Sequence, residues 1–170
     1  MATATVNYSS NTSITCGVAS TASSTTFVAG RESSEIDNTT NKYMDALVRG
    51  KVTVGTTPTV NTHIVVYVWG SDVSLATTAI DVLDGTDSAE TLTNTGVLYS
   101  ALRPLATISV TAATSDIGYD FPPSSVCSAL GLQTLPKFWG LYVSHNTVAA
   151  LNATGGNHFF EYVGVKVDVA

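Results

Sequence analysis

Two stretches limit the folds open to this chain more than any others: residues 43–54 and 62–69. In the first, Met44, Ala46, Val48, Val52 and Val54 alternate with Tyr43, Asp45, Arg49, Lys51 and Thr53, Leu47 being the exception. Period-two alternation sends one set to each face, so the stretch reads as a half-buried strand with one wet face. Gly55-Thr56-Thr57-Pro58 is a turn signal. The following run, His63-Ile64-Val65-Val66-Tyr67-Val68-Trp69, is apolar on both faces and reads as a central strand covered from each side. Gly70-Ser71-Asp72 ends it.

Composition points the same way. Charged residues are only 12% of the 170 positions, and Ser and Thr supply roughly a quarter of the chain, well above ordinary usage. Thr and Val favour strands because a branched Cβ fits a pleated surface. A hydroxyl-rich, weakly charged surface also costs little to desolvate, which suits packing against other subunits. The net charge of −6, with seven basic residues scattered along the chain, argues against nucleic acid as a partner, since phosphate binding needs clustered Lys and Arg. No apolar run approaches the ~20 residues of a membrane span. The N-terminus lacks the basic and apolar regions of a secretory signal, so folding in a cytoplasm is expected. Cys16 and Cys127 have no CxxC context and are expected as buried free thiols.

Residues 1–29 are Ser/Thr-rich, with alternation at Ala4, Val6 and Tyr8 and at Ile14 and Cys16. They read either as edge strands or as an extended arm that orders only against a neighbour. Residues 71–100 are the least legible: Leu75 to Leu83 fits a short helix or a loop with one strand. Thr95 to Leu102 and Ala106 to Ala112 read as strands split by Arg103-Pro104, and residues 119–123 as an extended link. Ser124 or Ser125 is placed to cap a short helix through Leu130, with Gly131 ending it. Phe138 to Ser144 reads as a buried strand. In the last strand, His158 to Val169, Val163, Val165, Val167 and Val169 share one face and Tyr162, Lys166 and Asp168 the other. Roughly seven to nine strands without a long helix predict an all-β chain, a jelly-roll-like antiparallel β-sandwich over residues 30–170.

Catalytic and metal signatures are weak. Asp81, Asp84 and Asp87 around Gly85 are spaced wrongly for a calcium loop and read as an Asp-Gly turn. No two of His63, His145 and His158 have metal-ligand spacing, and Ser144-His145 lacks the strained elbow of a hydrolase. The residues thus predict no catalytic or metal site and no cofactor. Tyr67, Trp69, Trp139 and Tyr142 fit either core positions or a sugar-stacking platform. Arg31, Glu32, Glu35 and Asp37 form a charged loop, either a solvated face or a docking loop making charge-assisted bonds to a neighbouring subunit.

Three stretches resemble the small all-β structural proteins of tailed bacteriophages, usually described as capsid decoration or cement proteins. They are Gly30-Arg31-Glu32-Ser33 through Ile36-Asp37-Asn38 to Val48; Asp84-Gly85-Thr86-Asp87 to Leu92; and Trp139-Gly140, Ser144-His145-Asn146-Thr147 and Ala150 to His158. Together they extend from about residue 30 to the C-terminus, and residues 1–29 match nothing in that family. The resemblance implies a non-enzymatic virion protein on the capsid surface, made in the host bacterial cytoplasm. Its partner would be the phage major capsid protein, and it would form a homo-oligomer, a trimer more readily than a dimer. The expected subunit or capsid interface comprises Arg31, Glu32, Glu35, Asp37, Arg49, Lys51, Trp139, His145, Asn146 and His158. The alternatives are a head-to-tail or tail-surface component, and a carbohydrate-binding module for host attachment.

Overall fold

Alternation in the sequence becomes strand register in the computed structural model, which describes residues 3–169. In chain order the strands are β1 (Ala4–Tyr8), β2 (Thr12–Ser13), β3 (Ala29–Glu32), β4 (Ile36–Asp37), β5 (Asp45–Thr53), β6 (His63–Ser71), β7 (Ala89–Thr91), β8 (Arg103–Ser109), β9 (Gly118–Ser125), β10 (Phe138–His145) and β11 (Phe159–Val169). Two short helices, α1 (Thr95–Ala101) and α2 (Val126–Leu130), complete it. Strands make up 43% of the chain against 9% helix, and the sheets are antiparallel, so the chain is an all-β sandwich. One sheet has the order β1-β11-β5-β9 with β2 also on β11; the other is β7-β3-β10-β6-β8 with β4 also on β10. The long strands pair in a nested way: β1 with β11, β3 with β10, β5 with β9 and β6 with β8.

The core between the sheets is made by the faces that the alternation assigns. Ala46, Val48 and Val52 from β5 meet Ile64, Val66 and Val68 from β6 and Trp139, Leu141 and Val143 from β10. Trp139 stands edge-on to Tyr162 of β11, centroids 5.2 Å apart at 82°, a favoured aromatic geometry. Strand β6 is apolar on both faces for a specific reason. Its other face, Val65, Tyr67 and Trp69, joins Tyr142 in a second cluster outside the sheet. The chain's own segment 72–102 covers that cluster with Leu75, Leu83, Leu92, Leu98 and Leu102.

The N-terminal strands pair within the chain itself. β1 and β2 lie along β11, and Ile14 and Val18 enter the inter-sheet core. The Ser24 amide donates to the His145 carbonyl at 2.7 Å. Of the two readings of residues 1–29, the described residues adopt edge strands followed by a segment laid on the body. Cys16 and Cys127 are free thiols, the first half-buried and the second buried.

Local differences from the sequence reading have physical causes. Thr95–Ala101 is helical, not a strand, because Asn94 caps it by accepting from the Val97 amide at 3.1 Å. Leu98 and Leu102, four apart, both point into the outer cluster. Arg103-Pro104 lies inside β8, not between two strands. Pro104 sits next to a register shift on an edge strand, where a missing amide is tolerated. Residues 119–123 belong to edge strand β9, whose register slips at Val48/Gly50 opposite the two prolines. Helix α2 forms as expected: the Ser125 hydroxyl accepts from the Ser128 amide, and Gly131 ends the helix in the left-handed region, φ +70°.

Candidate interaction surface

The charged loop faces inward. Arg31 donates through Nε to Asp87 Oδ1 at 2.6 Å and through a terminal nitrogen to the Asp87 carbonyl at 2.9 Å. Glu32 is fully buried and accepts from the amides of Asp84 (3.1 Å) and Gly85 (3.0 Å). Glu35 accepts from the Ser74 hydroxyl at 2.6 Å and the Leu75 amide at 2.7 Å. Asp37 is exposed and takes the Thr39 amide at 2.6 Å. The loop is therefore a clasp that fastens segment 72–102 over the second cluster. Gly85 is required there: φ is +82°, and a Cβ would stand 3.1 Å from the Glu35 Cβ. Burial pushes the Glu32 carboxyl up to about 7, against the pull of its two amide donors. Asp87 moves the other way: burial raises it, but the hydrogen bonds from Arg31 and Gly17 outweigh that and hold it below the carboxylate range.

Glu32, Trp139, His145 and His158 are therefore corrected as interface residues. All four are buried within the chain and offer a partner no surface. His145 Nε2 lies 2.9 Å from the Thr21 carbonyl, which can only accept, so Nε2 carries the proton. His158 uses the same tautomer: Nε2 donates to the Asn152 carbonyl at 2.9 Å, and Nδ1 accepts from the Thr53 amide at 3.2 Å. Burial lowers the pKa of both rings and keeps them neutral. Asn146 is half-buried and accepts from the His63 amide at 2.7 Å. His145 and His158 thus serve different segments, while Asp81 holds Thr93 and Asp84 holds the Thr86 amide. Among the described residues no group of three or more His, Cys, Asp or Glu side chains could hold a metal ion. Tyr67, Trp69, Trp139 and Tyr142 are all buried, which removes the exposed ring row that sugar stacking requires.

Arg49 and Lys51 lie elsewhere, on the outward face of the β1-β11-β5-β9 sheet. Arg49 forms an ion pair with Glu161 directly across on β11. Lys51 stands opposite Asp120 of β9 and 5.8 Å from the centre of the Phe159 ring. Beyond this pair of cations the same face turns apolar. Val163 faces Leu47, Val165 faces Tyr8 and Val167 faces Val6. Exposure is 63% at Tyr8, 55% at Val6 and 40% at Val167. A hollow of about 310 Å³ lies between Leu47, Val163, Arg49 and Pro123. The core side of β11 is instead Phe160, Tyr162 and Gly164, the last so tightly covered by the Tyr43 ring that a Cβ would collide with it.

The sequence reading separated the two faces of β11 but named no interface residue on its valine row. The usable signal was the face shared by Phe160, Tyr162 and Gly164: large rings beside a glycine mark close packing, whereas the outward Val163, Val165 and Val167 carry no such partner; the side chain of Val169 lies outside the described residues. The other sheet differs, because segment 72–102 already covers its outward face.

No protein-family model matches the chain, and neither the search of curated proteins nor that of solved structures found a match.

Proposed function

We propose that this chain is a non-enzymatic structural protein of a tailed-phage virion, of the capsid decoration or cement type. It binds the outside of an assembled head shell, and its partner there is the major capsid protein. It acts as a homo-oligomer of two or three copies on the capsid surface, after synthesis in the host cytoplasm. The nested strand pairing supports a jelly-roll assignment of the sandwich: the first long strand meets the last, the second the next to last, and so on inward. The three stretches that resemble the phage family also fit this reading. They meet in the clasp of Arg31, Glu32 and Asp87 and in strand β10, so what they share with that family is the framework of the fold.

The observation that carries the proposal is the unequal treatment of the two outward faces. One is covered by the chain's own segment 72–102, and the other is left open, with an apolar stripe toward its β1/β11 end. A chain that turns His145, His158 and most of its clustered carboxylates toward its own backbone, while exposing an apolar stripe on one sheet, is built to be covered by protein. The mechanism is mass action. A subunit that binds only the assembled, expanded shell stabilises it by its binding free energy, repeated over many sites.

Mixing the purified chain with expanded shells that lack it tests the proposal. Saturable co-sedimentation with a rise in shell melting temperature is expected. A chain that stays in the supernatant at saturating concentration, with shell melting unchanged, would overturn it.

A further inference from the structure

The end of the β1/β11 pair has its polarity reversed relative to the rest of the sandwich. Strand β5 begins at Asp45, opposite Val165, so from Lys166 onward β11 is flanked by β1 alone. On the side that continues the core face, the ribbon carries Thr5, Asn7, Lys166 and Asp168. Asn7 Nδ2 donates to Asp168 Oδ2 at 2.7 Å, and Lys166 lies 3.5 Å from the same carboxylate. On the side that continues the outward face it carries Val6, Tyr8, Val165 and Val167. A two-stranded ribbon in water is marginal by itself, and the hydrophobic effect favours the opposite arrangement for an isolated subunit. The pattern makes sense when the outward face is the buried one.

We infer that a second copy of this chain covers this face, the two β1-β11-β5-β9 sheets packing outward face to outward face about a two-fold axis. The inference deepens the reading of this face as an interaction surface and rests on it. Three observations favour a second copy over another occupant. The first is electrostatic. The chain carries −6, which opposes self-association, yet on this face Arg49 meets Glu161 and Lys51 stands opposite Asp120. The remaining carboxylate, Asp45, is engaged by the Ser125 hydroxyl at 2.6 Å and the Cys127 amide at 3.0 Å. Two acidic molecules repel each other least along such a face, because its two cations offset two of its three carboxylates and the third is held by a hydroxyl and an amide.

The second is the character of the surface. Val6, Tyr8, Leu47, Val163, Val165 and Val167 form an unbroken apolar stripe across three strands. Permanent homodimer interfaces are apolar in this way, whereas transient ones are more polar. The third is size. Four strands at ~4.8 Å spacing and about nine residues at ~3.3 Å give roughly 600 Å² of flat area per copy. Side-chain relief brings that toward the ~800 Å² per partner of a specific complex. Aligned sheet packing at ~10 Å, a common geometry of β-sandwiches, accommodates two valine-lined faces.

Sedimentation equilibrium on the full chain at micromolar concentration tests the inference. The expected mass is twice the 17.7 kDa of one chain. The double variant Val6→Lys/Val167→Lys should raise the dimer dissociation constant at least a hundredfold and give a monomer. Both positions are exposed in the single chain, so its circular dichroism and melting temperature should match those of the wild-type monomer at high dilution. Thr5→Lys, on the opposite side of the same ribbon, should leave the dimer intact. A monomeric wild type, or an oligomer whose mass the double variant does not change, would overturn the inference. Shell co-sedimentation on the same samples separates the two claims: a dimer that ignores shells supports this interface while contradicting the shell-binding reading.

Discussion

Glu32 and His145 show how single buried groups set the pH response of this fold. Glu32 has a folded pKa of about 7 against a reference of 4.5. The folded state therefore holds its proton more tightly than the unfolded chain. This contribution is full below pH 4.5 and is lost as pH rises to 7, by up to about 3 kcal/mol. His145 and His158 act in the opposite sense. Their pKa values are lowered, so the stability of the neutral rings is present above 6.5 and lost as pH falls below it. Urea unfolding at pH 5 and pH 7.5 should resolve the two. Glu32→Gln should lose more stability on acidification than wild type, by about 2 kcal/mol, because it can no longer take up the proton that stabilises the folded wild type. His145→Gln should lose less than wild type. Parallel pH dependences in all three proteins would contradict these assignments. At this scale the sequence was only partly legible. The cluster Arg31, Glu32, Glu35 and Asp37 was visible as charge, but its partners at Ser74, Asp84 and Asp87 lie 39 to 56 positions downstream. No local pattern encodes that pairing.

Among the elements, strand β6 was the most legible and helix α1 the least. A run apolar on both faces can only be a covered strand once its length is strand-like, and His63–Ser71 is that. Thr95–Ala101 has strand-favouring residues and short length, so its period is ambiguous until the cap and the outer cluster are known. Two tests belong here. Leu98→Ala should cost about 2–5 kcal/mol in chemical unfolding, because the side chain is fully buried in the outer cluster. A cost below about 1 kcal/mol would mean that segment 72–102 packs loosely. Gly131→Ala should cost about 1 kcal/mol from backbone strain alone, since a Cβ there meets nothing within 4 Å. Gly131→Asn should cost less, because Asn tolerates the left-handed region; equal costs would locate the penalty elsewhere.

For the whole molecule, the β-sandwich follows from alternation, turn residues and composition, while the partner surface does not. Alternation assigns side chains to two faces but is silent on which face meets a core. In β11 the valine row looks like core by composition, yet Phe160 and Tyr162 take that place, because their rings fill the space against Phe121 and Trp139. On the proposed reading, the outward valines are covered in an assembly. We propose that this assembly lies on the outside of a phage head. Cryo-electron microscopy of the particle that encodes the chain tests it most directly. Sandwich-shaped density is expected on the outer shell, repeated over the lattice, with the β1-β11-β5-β9 faces of neighbouring copies in contact. Density confined to the neck or tail, or a particle without the chain, would contradict it.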